Sequence, residues 1–195
     1  MPIKWLAKLW AVNDNLPAEA DLVVPVAHGA TKTHPTLSAY AATNQTRRLL
    51  GKYPLAICRF GTFTASPNPA AELYLKEKLP RSGYVGNVMT TIEECVKIKN
   101  SLSFIPTTII VVTDEAHSRR CRIVWRTFFP QSDIRICSVP LGLTIDWESP
   151  MRSYRHAWTA LLFQAAPTPF FWYLAWRGPE YMARWATKIH QPVAK

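Results

Sequence analysis

Within residues 109–120, the bare apolar run Ile109-Ile110-Val111-Val112 gives way abruptly to Thr113, Asp114, Glu115, His117, Arg119 and Arg120. A hydroxyl, two carboxylates, an imidazole and guanidiniums are the groups that anchor an anion and move a proton. Arginine offers a fixed fork to phosphate or carboxylate, imidazole donates or accepts near neutral pH, and a carboxylate can orient the imidazole. On this reading His117 and Asp114 are the candidate catalytic pair, Arg120 clamps an anionic group, and Thr113 supplies a hydroxyl at a strand end. Each residue also has a plainer structural role. His117 can be a satisfied core histidine, Arg120 an edge residue whose stem covers apolar surface, and Asp114 a helix cap.

The surrounding elements must select among these groups. A β-branched run followed by a helical pattern reads as a parallel strand buried on both faces, and ligands of open α/β sheets bind beyond the carboxyl ends of such strands. His117, Cys121, Val124, Trp125 and Phe128 then recur as one helical stripe, with Arg119, Arg122 and Arg126 on the opposite, solvated side. Arg120 lies about 60° from His117 on such a helix, at the edge of the stripe. His117 and Arg120 therefore face the strand end, and the other arginines do not.

Periodicity elsewhere predicts strands at 22–27, 55–59, 107–113 and 134–139, helices at 37–50, 69–79, 91–100 and 117–128, and a short edge strand over 84–88. Alternation of this kind means an α/β fold: a three-layer, Rossmann-like, mostly parallel sheet flanked by helices. A chain of 195 residues, 48% hydrophobic, is enough for one domain, with a core over about 20–140 and a basic, aromatic-rich helical extension over about 150–190. The four cysteines, at 58, 95, 121 and 137, lie in apolar patterns without metal-ligand spacing and read as buried thiols in a reducing compartment.

Charge asks for a partner. The formal net charge is +10, and residues 151–195 carry Arg152, Arg155, Arg177, Arg184, Lys188 and Lys195 against Glu180 alone. A field of that sign attracts nucleic acid, anionic lipid or an acidic protein without choosing among them. Residues 157–176 are uncharged and long enough to reach the membrane-span threshold, but Pro167 and Pro169 split them into pieces too short to cross. A helical pair packed on the sheet is expected, with interfacial membrane attachment through Trp172, Tyr173 and Trp176 as the alternative. The segment 1–10 is too brief for a signal peptide's apolar region, so the expected location is cytoplasmic, with peripheral membrane contact as the alternative.

An apolar strand, Val-Thr, a short gap and His-x-x-Arg opening a helix together resemble the YdcF/SanA/ElyC family, a domain family of poorly defined activity linked to the bacterial envelope. Further segments resemble it in order: Asp21-Leu22-Val23-Val24, residues 55–61 ending in Gly61, Ala71-Glu72-Leu73, and Thr90-Thr91-Ile92-Glu93-Glu94. The resemblance covers about residues 20–140. It implies a ligand site that draws on Gly29, Gly61, Glu72, Thr91 and Glu94 besides residues 113–120, a role in envelope precursor metabolism, and S-adenosylmethionine as one ligand. The chain departs from the family in three places. The loop after the first strand holds one glycine, Gly29; Glu94 stands where asparagine is usual, an acceptor-only charge in place of a neutral amide; and Asp114 and Glu115 are more acidic than the residues usual there, so an anionic ligand would face two nearby carboxylates. Thr91 and Glu94 also form the S/T-x-x-E pattern that starts helices. In the first loop His28, Lys32 and His34, at a second strand end, are candidate ligand contacts, with plain solvated loop residues as the alternative.

Two function classes follow. One is an α/β protein binding an anionic or nucleotide-like small molecule; as an enzyme it would carry out transfer or hydrolysis on a phosphorylated or S-adenosylmethionine-like ligand. The other is a basic scaffold that holds nucleic acid or a membrane surface through its tail. No G-x-S-x-G elbow, H-E-x-x-H, Walker lysine or dinucleotide G-x-G-x-x-G is present, so no reaction class follows from motifs. The residues name no cofactor and no oligomeric state.

Overall fold

In the computed structural model, which describes residues 2–26, 35–63, 69–79, 81–146 and 152–189, the apolar runs become five parallel strands. These are β1 (Leu22–Pro25), β2 (Ile57–Phe63), β3 (Ser82–Val88), β4 (Thr108–Asp114) and β5 (Asp133–Val139). Their order across the sheet is β3-β2-β1-β4-β5, so the chain reverses direction of growth between β1 and β4. Leu22 pairs with Ile109 and Val24 with Val111 along that seam. Open sheets of this order bind ligands in the crevice outside the strand ends at the reversal, which is where Thr113 and Asp114 terminate β4.

Alternation of side chains sorts the core into two faces. Leu22, Val24, Ile109, Val111, Ile134 and Ile136 meet α4 (Thr91–Ser101) and α5 (Ser118–Phe128). Val23, Cys58, Phe60, Ile110 and Val112 meet α2 (Leu37–Lys52) and α3 (Pro69–Lys78). This is the three-layer, Rossmann-like α/β arrangement that the alternation predicts. The tail forms α6 (Ala157–Ala165), α7 (Thr168–Trp176) and α8 (Pro179–Ile189). The break between α6 and α7 falls at Ala166-Pro167. Phe171 and Leu174 of α7 and Met182 and Ala186 of α8 join the core cluster under α4 and α5, so α7 and α8 add an outer layer on that face. Among the described residues no helix is long and apolar enough to cross a membrane.

Some boundaries differ for local reasons. β1 ends at Pro25, which has no N–H to give the ladder, although the Val26 amide still bonds to the Val112 carbonyl at 2.8 Å. β2 starts at Ile57, not at Leu55, which is 92% exposed. Its register with β3 shifts between Phe60 and Thr62, around Gly61. Residues 2–10 form a helix, α1 (Pro2–Trp10), that the strand-and-helix reading does not include. Its apolar positions 5, 6, 9 and 10 are nonetheless helically spaced, and proline suits a helix start. Ala7 of α1, with Ala160 and Leu161 of α6, packs on Ala116 in the turn after β4. Asn13 and Asp14 then cover the open edge of β5, where Asp14 exchanges hydrogen bonds with Ile136 at 2.8 Å and Asn13 accepts from the Ser138 amide.

Candidate functional site

The turn from β4 into α5 is built by its own side chains. Asp114 Oδ1 accepts the His117 amide hydrogen at 2.9 Å, which is the capping role open to it from sequence. Glu115 accepts from the Leu141 amide at 2.9 Å and so ties this turn to the chain leaving β5. Neither contact faces outward as a ligand-repelling charge, for both carboxylates are buried. Thr113 is buried too and turned toward α5, where its hydroxyl accepts from the Cys121 thiol at 3.6 Å. It is not the outward hydroxyl that its place at the strand end suggests.

His117, 2% exposed, is where the elements converge. Its Nε2 lies 2.9 Å from Thr91 Oγ1 at the start of α4 and 3.1 Å from Arg120 Nε, one turn along α5. An arginine Nε always carries hydrogen, so Nε2 accepts, the imidazole is neutral and its proton sits on Nδ1. Arg120 is half-buried, with its guanidinium carbon 5.2 Å from the centre of the Phe171 ring. The helical-stripe selection of His117 and Arg120 therefore corresponds to a direct contact. Phe171 is a partner that sequence reasoning misses, because it comes from the tail.

The capping pattern is displaced by one residue. Thr90, not Thr91, is the N-cap: its hydroxyl accepts from the Glu93 amide at 3.0 Å, and Glu93 reaches back to the Met89 amide at 2.8 Å. That shift leaves Thr91 free to meet His117 and turns Glu94 inward, where Oε1 accepts from the Gly61 amide at 3.2 Å. Burial pushes the Glu94 carboxyl up to about 8, with the Gly61 bond opposing and Glu93 adding to the rise. At neutral pH it is mainly protonated, so it is both donor and acceptor and not the acceptor-only charge that its residue type predicts. Gly61 itself has a packing reason: a Cβ there would stand 3.0 Å from Val88 Cγ1 and 3.2 Å from the Gly86 carbonyl.

Not every candidate joins this cluster. Glu72, in the first turn of α3, forms an ion pair with Lys76 at 2.6 Å, and α3 packs on the opposite sheet face from α4 and α5. His28, Gly29, Lys32 and His34 lie outside the described residues. At the start of α2, where the first βα turn of such folds often receives phosphate, Leu37 N already donates to Asp146 Oδ2 at 3.2 Å and Ala39 N to Thr36 Oγ1 at 3.3 Å. The chain's own carboxylate holds the amide an anion would use. All four cysteines are buried free thiols. Burial raises Cys58 to about 12 and pushes Cys95, Cys121 and Cys137 up as well, so none is poised as a thiolate. Among the described residues no group of three His, Cys, Asp or Glu could hold a metal ion.

The outer side of α5 also departs from expectation. Arg119 is exposed and lies against Trp10, its Nε donating to the Trp10 carbonyl at 2.6 Å with the guanidinium 4.7 Å from the ring centre. Arg122 is partly exposed and ion-paired with Asp14. Burial raises the Asp14 carboxyl, yet the Arg122 bond and charge, the Ile136 amide and Arg135 outweigh it, and its pKa is lowered. These arginines face a cavity of about 850 Å³ between α5 and the α6–α7 pair. Comparisons with protein-family models, curated proteins and solved structures found no match to this chain.

Proposed function

We propose that this is a YdcF/SanA/ElyC-like α/β protein that binds an anionic, phosphorylated or nucleotide-like small molecule at the carboxyl ends of β1 and β4, with envelope precursor metabolism as its setting. The observation that carries the reading is the contact of Arg120 Nε with His117 Nε2 beside Thr91 Oγ1, at the place where strand order reverses. Arg120, braced on Phe171, is the anion contact. While its Nε–H occupies the imidazole, His117 positions the guanidinium. A ligand that draws this hydrogen away leaves Nε2 accepting from the Thr91 hydroxyl alone, and His117 can then take a proton as that hydroxyl turns away. Protonated Glu94 and Thr91 supply neutral polar groups along the same wall, and S-adenosylmethionine enters as a ligand through the family resemblance alone. Thermal stabilisation by pyrophosphate, AMP and S-adenosylmethionine tests this. At least one should raise the melting temperature of the native chain and of Arg48→Ala, an exposed arginine of α2, but not that of Arg120→Ala. Equal stabilisation of both variants would remove Arg120 from the site.

A second reading, docking on an anionic membrane surface, is favoured by the exposure of Trp5 and Leu9 on α1, Trp158 and Leu162 on α6, and Trp176 on α7 beside a basic tail. Binding to phosphatidylglycerol vesicles should then fall steeply as salt rises, and salt-insensitive binding would rule out an electrostatic anchor.

A further inference from the structure

We propose that the groove between α5 and the α6–α7 pair is a second binding site, for an amphiphile with an anionic head and an apolar body. It is separate from the Arg120–His117 cluster. One wall carries Arg119, Arg122 and Arg126 of α5. Their i, i+3, i+7 spacing spreads three guanidiniums along about 10 Å of helix. No carboxylate is among the lining residues, and Asp14 answers Arg122 alone.

What the groove offers a ligand is one-sided. The two lining hydroxyls are spent inside their own helices, Thr127 on the Ile123 carbonyl at 2.8 Å and Thr168 on the Gln164 carbonyl at 2.9 Å. The Trp10 indole N–H is likewise spent on the Ala116 carbonyl at 2.9 Å. Guanidinium hydrogens are the polar groups left, all of them donors. Arg122 Nε is buried with no hydrogen-bond partner among the described residues, and Arg126 makes no ion pair among them. A buried orphan donor is costly, and an acceptor bound in the groove removes that cost. The rest of the lining is carbon: Val12, Ile123, Ala165, Pro169 and Ala175, with Trp172 63% exposed. A polyanion such as nucleic acid would leave this wall uncovered, and a neutral alkyl chain would leave the donors unanswered. A volume of about 850 Å³ suits a chain of this kind.

Calorimetric titration of the full chain with n-decyl phosphate, below its micellar concentration, tests the site against inorganic phosphate and n-decyl maltoside. Decyl phosphate should bind saturably, with the head alone and the neutral amphiphile each at least about tenfold weaker. Arg126→Glu sits on an exposed side chain that the fold does not use. It should weaken decyl phosphate about tenfold while its melting curve stays native, and Arg120→Ala should leave the affinity unchanged. Decyl maltoside binding as tightly as decyl phosphate, or Arg126→Glu binding decyl phosphate like the native chain, would overturn the proposal. Phosphatidylglycerol vesicles added to the complex identify the source: displacement of decyl phosphate assigns the groove to bilayer lipid, and retention assigns it to a free single-chain anion. Loss of binding in Arg120→Ala but not in Arg126→Glu would place the ligand at the strand-end cluster and overturn this groove alone.

Discussion

The two sides of α5 carry arginines only a few residues apart, yet they answer to different physics. The inner side, His117, Arg120 and Cys121, sits in a buried setting of neutral groups: an uncharged imidazole, a protonated Glu94 and thiols held far from ionisation. The outer side, Arg119, Arg122 and Arg126, sits against water and apolar helix surface, where charge is balanced once, by Asp14. Burial rules the first and Coulomb interaction the second, so pH should act on one and salt on the other.

The largest expected effect concerns pH on the inner side. Below about pH 4.5 Glu94 is protonated in both folded and unfolded chains. From there to about pH 8 the unfolded chain releases the proton while the folded chain keeps it, so stability falls as pH rises through that window and levels above it. The full shift corresponds to roughly 5 kcal/mol, and Glu94→Gln should flatten the dependence between those limits. Parallel melting-temperature profiles for the two proteins would show that the inner side is not governed by burial.

Truncation sharpens the contrast next. His117→Ala removes the ring that joins α4 to Arg120 and should lower the unfolding free energy by about 3 kcal/mol, whereas Arg126→Ala should stay within about 0.5 kcal/mol. Chemical denaturation measures both, and similar losses would erase the distinction between the two sides.

The smallest effect settles which threonine serves structure at α4. Thr90→Ala should cost about 1 kcal/mol by uncapping α4. It should leave the inner cluster in place, read as an unchanged NMR signal of the His117 ring, while Thr91→Val should shift that signal. A Thr91→Val loss that matches the uncapping cost with no change at His117 would reverse the assignment.

Legibility followed the range of the interactions. The apolar run that becomes β4 and the stripe of α5 were readable because i, i+3 and i+4 neighbours decide them. The Thr90 and Glu93 cap was readable as a pattern but not in frame, since Thr90 and Thr91 both precede a glutamate by three residues, and packing alone chooses. Glu72 matched by position, yet its helix lies on the opposite face of the sheet. Glu94 was misjudged by residue type because its protonation depends on burial that no local window displays. The ion pair of Arg122 is not legible in a local window because its partner, Asp14, lies 108 residues away.

By itself the sequence determined most of the elements and the α/β class, and it paired His117 with Arg120 one helical turn apart, because periodicity is a short-range code. Only the tertiary structure decided that β1 lies beside β4, that Asp146 caps α2, that Phe171 lies under Arg120 and that the tail turns an arginine face into a groove. Those contacts join residues far apart along the chain, and burial, which sets both partners and protonation, exists only once they meet.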